Sequence, residues 1–325
     1  MPLIANRFSQ IAFRKSSIVE NKKRIIFLVG PTAAGKTTIA VHLAKYLNAE
    51  IISCDSMQIY RGMDILTSKP SAALRKRIPY HLIDFVQPHR EYDVCRYRRQ
   101  ALAKIKGLFK KGKTPLLVGG TGLYVSVLVD GIFEAVPIKK SLRQGLYRQA
   151  VTKGNAYLYA RLKKVDPEAA CRIHPNDTKR MVRALEVFGE TGEPISKLQK
   201  ERRGLGLEYD IRIFCLDMLR RELYRRIDKR VEMMFKRGLV KEVDKLLESK
   251  LSRTAGFAIG LREIKGYLEG RYGLAEARRL MQRNTRWYAK RQLSWWRRDK
   301  RIKWIKVRDK QGASVVARRI LRELR

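Results

Sequence analysis

Apolar residues change their spacing along this chain in a way that predicts alternating strands and helices. The unbroken run Ile25-Ile26-Phe27-Leu28-Val29 reads as a strand buried on both faces. After it, Ile39, Ala40, Leu43, Ala44 and Leu47 recur every three or four residues, the period of a helix with one apolar face. Residues 48–55, NAEIISCD, give a second short run that ends on Asp55. His81-Leu82-Ile83-Asp84 looks like a short strand and turn. A helical stretch at 93–112 carries Ala101, Ile105 and Leu108 on one face, and Pro115-Leu116-Leu117-Val118 is the next strand. The alternation places the chain in the α/β class, with a parallel sheet.

The texture changes after Gly131. Residues 132–205 contain no convincing strand, and helical patterns fall at about 139–152, 154–164, 167–173, 178–190 and 194–201. They are separated by Gly154, Asp166-Pro167, His174-Pro175-Asn176-Asp177 and Gly192-Glu193-Pro194. This stretch reads as an all-helical insertion domain, residues 132–205, inside a discontinuous core made of 24–131 and 206–325. A strand returns at Tyr209–Leu216, and Asp217 is the expected cap of one long helix reaching about Ser249. A short helix is expected within 257–270, with Gly256 as hinge or cap. Arg278–Arg308 is dense in arginine and lysine and holds Trp287, Trp295, Trp296 and Trp304, which are expected mainly in the core.

Charge alters the picture more than composition does. Among 325 residues, 72 Lys and Arg stand against 31 Asp and Glu, a net charge of +41. Such an excess points to a polyanionic partner, most simply nucleic acid, with part of it serving as solvated surface. No apolar run approaches the ~20 residues of a membrane span. The four cysteines are scattered and the four histidines lack metal spacing, which suits a reduced, cytoplasmic compartment without structural zinc. Residues 1–23 read as a basic N-terminal extension rather than a transit peptide.

The chemistry starts at Gly30–Thr37, GPTAAGKT, which fits the phosphate-loop pattern between a strand and a helix. Gly30, Pro31, Thr32, Ala33, Ala34 and Gly35 would curl main-chain N–H groups around an anion, Lys36 adds a full charge, and Thr37 offers a hydroxyl to Mg²⁺. The loop alone does not name the phosphate compound. Asp55 ends a strand at the same sheet edge, as a reacting group, a helix cap or a ligand near Mg²⁺. The third long strand runs into Gly119-Gly120-Thr121-Gly122, where a nucleotide hydrolase would carry an aspartate. Glycines there would allow a ligand to approach, and Thr121 could donate to a phosphate oxygen. Arg226 and Arg230 fall inside the apolar stripe Leu223, Ile227, Val231, Met234, where an anion, snorkelling or an ion pair must meet them.

Taken in order, GPTAAGKT, DSMQIYRGMDILTSKP at 55–70, LLVGGTGLY at 116–124, RIHPNDTKRMVRALEV at 172–187 and TRWYAKRQLSWWR at 285–297 resemble the tRNA dimethylallyltransferases. The resemblance covers about residues 24–305. It implies a phosphate-loop core with a helical insertion, and transfer of the five-carbon group of dimethylallyl diphosphate to N6 of adenosine 37 in tRNA, with Mg²⁺ as cofactor. By family position Asp55 takes the N6 proton, Thr121 stands at the channel, and Lys36 and Arg230 meet the diphosphate, with Arg226 a second arginine beside it. The implied tRNA contacts are Asp55, Ser56, Met57, Gln58, Thr121, Arg143, Lys179, Arg180, Met181, Val182, Arg183, Ala258, Ile259, Gly260, Leu261 and Arg262. A cytoplasmic monomer with no membrane attachment is expected. The other readings of the same residues are a nucleoside or polynucleotide kinase that binds ATP, and a nucleotide-gated RNA-binding protein.

Overall fold

The computed structural model describes residues 22–133, 139–309 and 311–325. The expectation for residues 1–23 falls almost wholly outside them. The buried runs form the strands, because a segment apolar on every side must be covered on both faces. β1 is Arg24–Val29, followed by α1 Lys36–Tyr46, β2 Ala49–Cys54, α2 Ala72–Arg77, β3 Tyr80–His81, α3 Val94–Lys110, β4 Thr114–Gly119 and α4 Gly122–Val129. The helical stretch comprises α5 Lys140–Val165, α6 Pro167–Arg172, α7 Thr178–Thr191 and α8 Ile195–Lys200. The chain then returns through β5 Asp210–Asp217, α9 Arg220–Lys236, α10 Leu239–Leu247, α11 Leu261–Leu268, α12 Leu274–Trp296, β6 Ile302–Lys306 and α13 Ala313–Arg322. Contacts divide it into two units, Met1–Val129 with Glu208–Arg325, and Asp130–Leu207.

In the first unit six parallel strands take the order β3-β2-β4-β1-β5-β6. The register sets Val29 beside both Gly119 and Cys215, and Cys54 beside Gly119. The loops that leave β1, β2 and β4 therefore emerge at one edge, where α/β sheets hold ligands. Ile39, Ala40, Leu43 and Ala44 of α1 are buried in a core with Ile26, Leu28, Ile51 and Leu116 of the sheet, and Val316, Ala317 and Ile320 of α13 join it.

The second unit has its own core, built from Leu146, Leu158, Leu162, Met181, Leu185, Val187 and Ile195. Asp166 is buried there. Its carboxylate accepts from Ala169 N at 2.8 Å, capping α6, and from Ser196 N at 2.9 Å. Asp177 caps α7 through Arg180 N at 3.1 Å. Gly154, with φ 79°, leaves the helical region inside α5 and makes it two helices.

Four expectations need correcting. The long helix after Asp217 is two, because Gly238 at φ 91° stops α9 and opens α10, and α9 is capped at Leu219 without a side-chain acceptor. The short helix α11 is capped by Gly260, not Gly256. Of the tryptophans only Trp296 is buried, while Trp287 and Trp295 are 52% and 38% exposed. The basic tail also contains β6, which the spacing of charges conceals, and α13 follows it. No described helix is long and apolar enough to cross a membrane.

Candidate active site

One cavity of about 660 Å³ opens at the carboxyl edge of the sheet, in the first unit. Its walls include Thr32, Gly35, Lys36 and Thr37 of the phosphate loop, Asp55–Gln58 after β2, Gly119 at the end of β4, and Arg226 and Arg230 of α9. Four segments far apart in sequence thus meet because parallel strands end together.

Lys36 Nζ donates to Gly30 O at 2.9 Å and Pro31 O at 2.8 Å, so the ammonium is held inside its own loop. Burial pushes its pKa down to about 8; Asp55 opposes that shift and Arg230 adds to it. Arg230 Nε donates to Ser68 Oγ at 2.9 Å, and burial lowers its pKa as well. Arg226 differs from it. Its Nε meets Asp309 Oδ1 at 2.9 Å and its Nη2 meets Asp309 O at 2.6 Å, with Arg225 on the same carboxylate. Arg226 is already matched by a carboxylate, whereas Arg230, on the cavity wall, has Asp55 as its nearby opposite charge and no ion pair within 4 Å among the described residues. Two enclosed cations face a space that an anion would stabilise.

Asp55 holds the turn that follows β2 with one carboxylate oxygen. Oδ1 accepts from Met57 N at 2.9 Å and Gln58 N at 3.3 Å, which shapes the turn after β2. Oδ2 has no hydrogen bond from the described residues, and Asp55 lines the cavity. Thr121 is tied to the same turn. Its N–H donates to Cys54 O at 3.0 Å, and its Oγ1 accepts from Ser56 N at 3.0 Å. Behind it, Tyr97 hydrogen-bonds Cys54 at 3.0 Å and stacks on Tyr124 with centroids 3.7 Å apart. Burial there raises Cys54 to about 12, so the thiol stays neutral.

The glycines of the turn serve the protein rather than a ligand. A Cβ on Gly120 would lie 2.1 Å from Gln292 Nε2, and one on Gly122 would lie 2.3 Å from the Trp295 ring. Helix α12 sits directly on the turn, and only glycine leaves room for it.

Loop 55–70 is strapped down from α10. The Glu242 carboxylate accepts from Asp64 N, Ile65 N and Leu66 N at 3.1, 2.8 and 2.8 Å. At the loop's base Lys69 is buried between Asp64 and Asp84, at 2.8 and 2.6 Å. Glu242→Ala leaves three N–H groups without their acceptor. It is expected to cost about 2–3 kcal/mol in chemical denaturation, and unchanged stability would mean the strap is replaced by water.

The remaining expected residues divide by place. Ala258 and Ile259 line the cavity; Gly260, at φ 108°, caps α11 and accommodates Leu66 and Met281; Leu261 is buried; and Arg262 lies over the Phe257 ring at 5.9 Å. Arg143, Lys179, Arg180, Met181, Val182 and Arg183 belong to the second unit. There the buried Glu186 carboxylate is hydrogen-bonded by Arg143 and lies 3.6 Å from Arg183. Met181 and Val182 turn their side chains into that unit's core. Sequence reasoning missed Tyr288, Arg291 and Gln292, which α12 brings to the cavity. Polar residues at i, i+3 and i+4 in a basic helix were the only signal for them.

Thr37 is one of the phosphate-loop hydroxyls on the cavity wall, beside Thr32, and no cluster of three or more His, Cys, Asp or Glu able to hold a metal occurs among the described residues. The donor set suits a cation that arrives with a diphosphate and keeps water ligands, as Mg²⁺ does, rather than one held by the protein alone.

Family models match the chain as IPP transferase over residues 58–299 and as isopentenyl transferase over residues 23–78. It is 46% identical over 287 residues to the tRNA dimethylallyltransferase of Geobacter sulfurreducens, covering 88% of this chain and 92% of that protein. It is 44% identical over 294 residues to that of Halothermothrix orenii, covering 90% of each. Among solved structures, the full-length tRNA isopentenylpyrophosphate transferase of Bacillus halodurans superposes with a TM-score of 0.69 at 37% identity, covering 93% of this chain and 97% of that one. A eukaryotic dimethylallyltransferase acting on tRNA gives a TM-score of 0.79 at 28% identity, covering 93% and 79%.

Proposed function

We infer the activity from a plain premise: the chain belongs to the IPP transferase family. It is an enzyme that transfers a dimethylallyl group to tRNA. The donor is dimethylallyl diphosphate and the acceptor is N6 of adenosine 37 in the anticodon loop. The observation that carries this reading is the cavity in which Lys36 and Arg230 face Asp55. An anion grip and a carboxylate oxygen without a hydrogen bond from the described residues share one cavity.

The phosphate-loop N–H groups, Lys36 and Arg230 hold the diphosphate and stabilise the charge that collects on it as it leaves. Mg²⁺, held by Thr37 and the diphosphate's own oxygens, would add further charge neutralisation. The exocyclic amine is a weak nucleophile, because its lone pair is delocalised into the ring. Much of the catalysis is therefore alignment of N6 with C1 at about 3–3.5 Å. As the N6–C1 bond forms, the C1–oxygen bond breaks and pyrophosphate departs. Asp55 Oδ2 takes the N6 proton. Thr121, fixed by Cys54 and Ser56, frames the channel at that point. The adenine reaches the cavity by leaving its stack in the anticodon loop.

Arg262 of the first unit and Arg143, Lys179, Arg180 and Arg183 of the second follow the tRNA backbone. The protein works as a monomer in the cytoplasm. Incubation with unmodified tRNA and labelled dimethylallyl diphosphate tests the reading. Label recovered in the nucleoside supports it. ATP consumption without label in the nucleoside would instead make the protein a kinase.

A further inference from the structure

Gln292 is a neutral polar side chain on a basic helix, only 5% exposed, and the reaction described above does not use it. Both ends of its amide are engaged. Oε1 accepts from Thr32 N at 2.8 Å, and Nε2 donates to Gly120 O at 2.9 Å. The amide orientation follows from its partners, since an N–H needs an acceptor opposite it and a carbonyl needs a donor. One side chain therefore ties the phosphate loop to the turn that carries Thr121. The fit has no slack: Gly120 has room for a hydrogen but not for a Cβ against Nε2. Tyr288, one turn earlier on α12, stands beside both Thr121 and Gln292.

We propose that Gln292 is a positioning residue that fixes the spacing between the diphosphate grip and the Asp55–Thr121 side of the cavity. The proposal rests on the transferase reading. The two loops leave neighbouring strands, β1 and β4, and the strand register fixes only their roots. Their tips set where C1 and the amine meet. A misplacement near 1 Å costs about 100-fold in rate. Without the tie, diphosphate can still depart while the amine is out of line, and water then captures the carbon. In that step the C1–O bond to diphosphate breaks, a C1–O bond to water forms, and prenyl alcohol, pyrophosphate and a proton result.

Gln292→Met keeps the length of the side chain and removes both hydrogen bonds. The measurements are kcat, KM for dimethylallyl diphosphate, melting temperature, and pyrophosphate released per nucleoside prenylated on unmodified tRNA. We expect kcat to fall about 100-fold with donor KM within about threefold, and more than one pyrophosphate per prenylated nucleoside. Near-parental kcat with one-to-one coupling overturns the proposal. So does one-to-one coupling with activity and melting temperature lost in parallel, the mark of a merely structural residue. If the methionine variant does not fold, Gln292→Glu, which keeps the acceptor for Thr32 N and loses the donor to Gly120 O, is read by the same criteria. The parent protein runs alongside: if it prenylates no tRNA the transferase reading itself fails, and if it does the variants judge Gln292 alone.

Discussion

Asp55→Asn is expected to lower kcat by about 10²–10⁴-fold while tRNA binding stays within a few-fold of the parent. The substitution is chosen from the geometry. Asparagine keeps an oxygen that can accept from Met57 N and Gln58 N, so the turn after β2 keeps its shape. What it loses is the second carboxylate oxygen and the capacity to take a proton. Asp55→Ala would remove the turn's acceptor as well, and so would mix misfolding of the loop with loss of chemistry. Single-turnover rates with saturating donor, beside equilibrium binding of tRNA, separate the two effects. Near-normal turnover in the asparagine variant would falsify the proton-acceptor role.

Lys36→Met should reduce kcat/KM for the donor by about 10²–10³-fold, the range for removing one preorganised donor from a developing anion. The parent enzyme should report the same group through pH. An amine is charged below its pKa, and burial has brought that of Lys36 down to about 8. The free enzyme therefore loses the cation as pH rises through about 8, and kcat/KM for the donor should decline there. Bound diphosphate favours the charged amine, so kcat should hold to higher pH than kcat/KM. The methionine variant should lack this limb. A profile that stays flat well above pH 8 in the parent, or an unchanged limb in the variant, would remove Lys36 from the binding step.

Much of the site can be read from the residues because parallel strands end together. Once Ile25–Val29, NAEIISCD and Pro115–Val118 are recognised as strands of one sheet, Lys36, Asp55 and Thr121 must lie at one edge. The breaks of the helical insertion were legible for a similar reason: glycine, proline and capping aspartate act locally, and Asp166 and Asp177 do cap helices. What failed to show depends on contacts between distant segments. Gln292 is unremarkable in TRWYAKRQLSWWR until α12 lies across the glycine turn. The same packing explains why Gly120 and Gly122 looked like room for a ligand. β6, IKWIK, carries exposed Lys303 and Lys306 at the sheet edge, so its alternation is lost in a basic run. Arg226 and Arg230 look equivalent on a helical wheel, and only the position of Asp309 separates them.

The strand order also bears on how the protein comes to be folded. β1 leads into the phosphate loop and lies between β4 and β5. Arg24 and Asp210, ion-paired across β1 and β5, are 186 residues apart. As the chain is synthesised, β1 can pair with β4 early, but its other flank stays an open, apolar edge until β5 appears. Open edges recruit foreign strands, and contacts of such long separation form late. The residues made in that interval, Asp130–Leu207, have a core of their own and can condense while the edge waits. A chain arrested before β5 would therefore hold a folded helical unit and, separately, a sticky half-sheet. The proposed anion grip, whose Arg230 follows β5, is among the last parts of the molecule to exist.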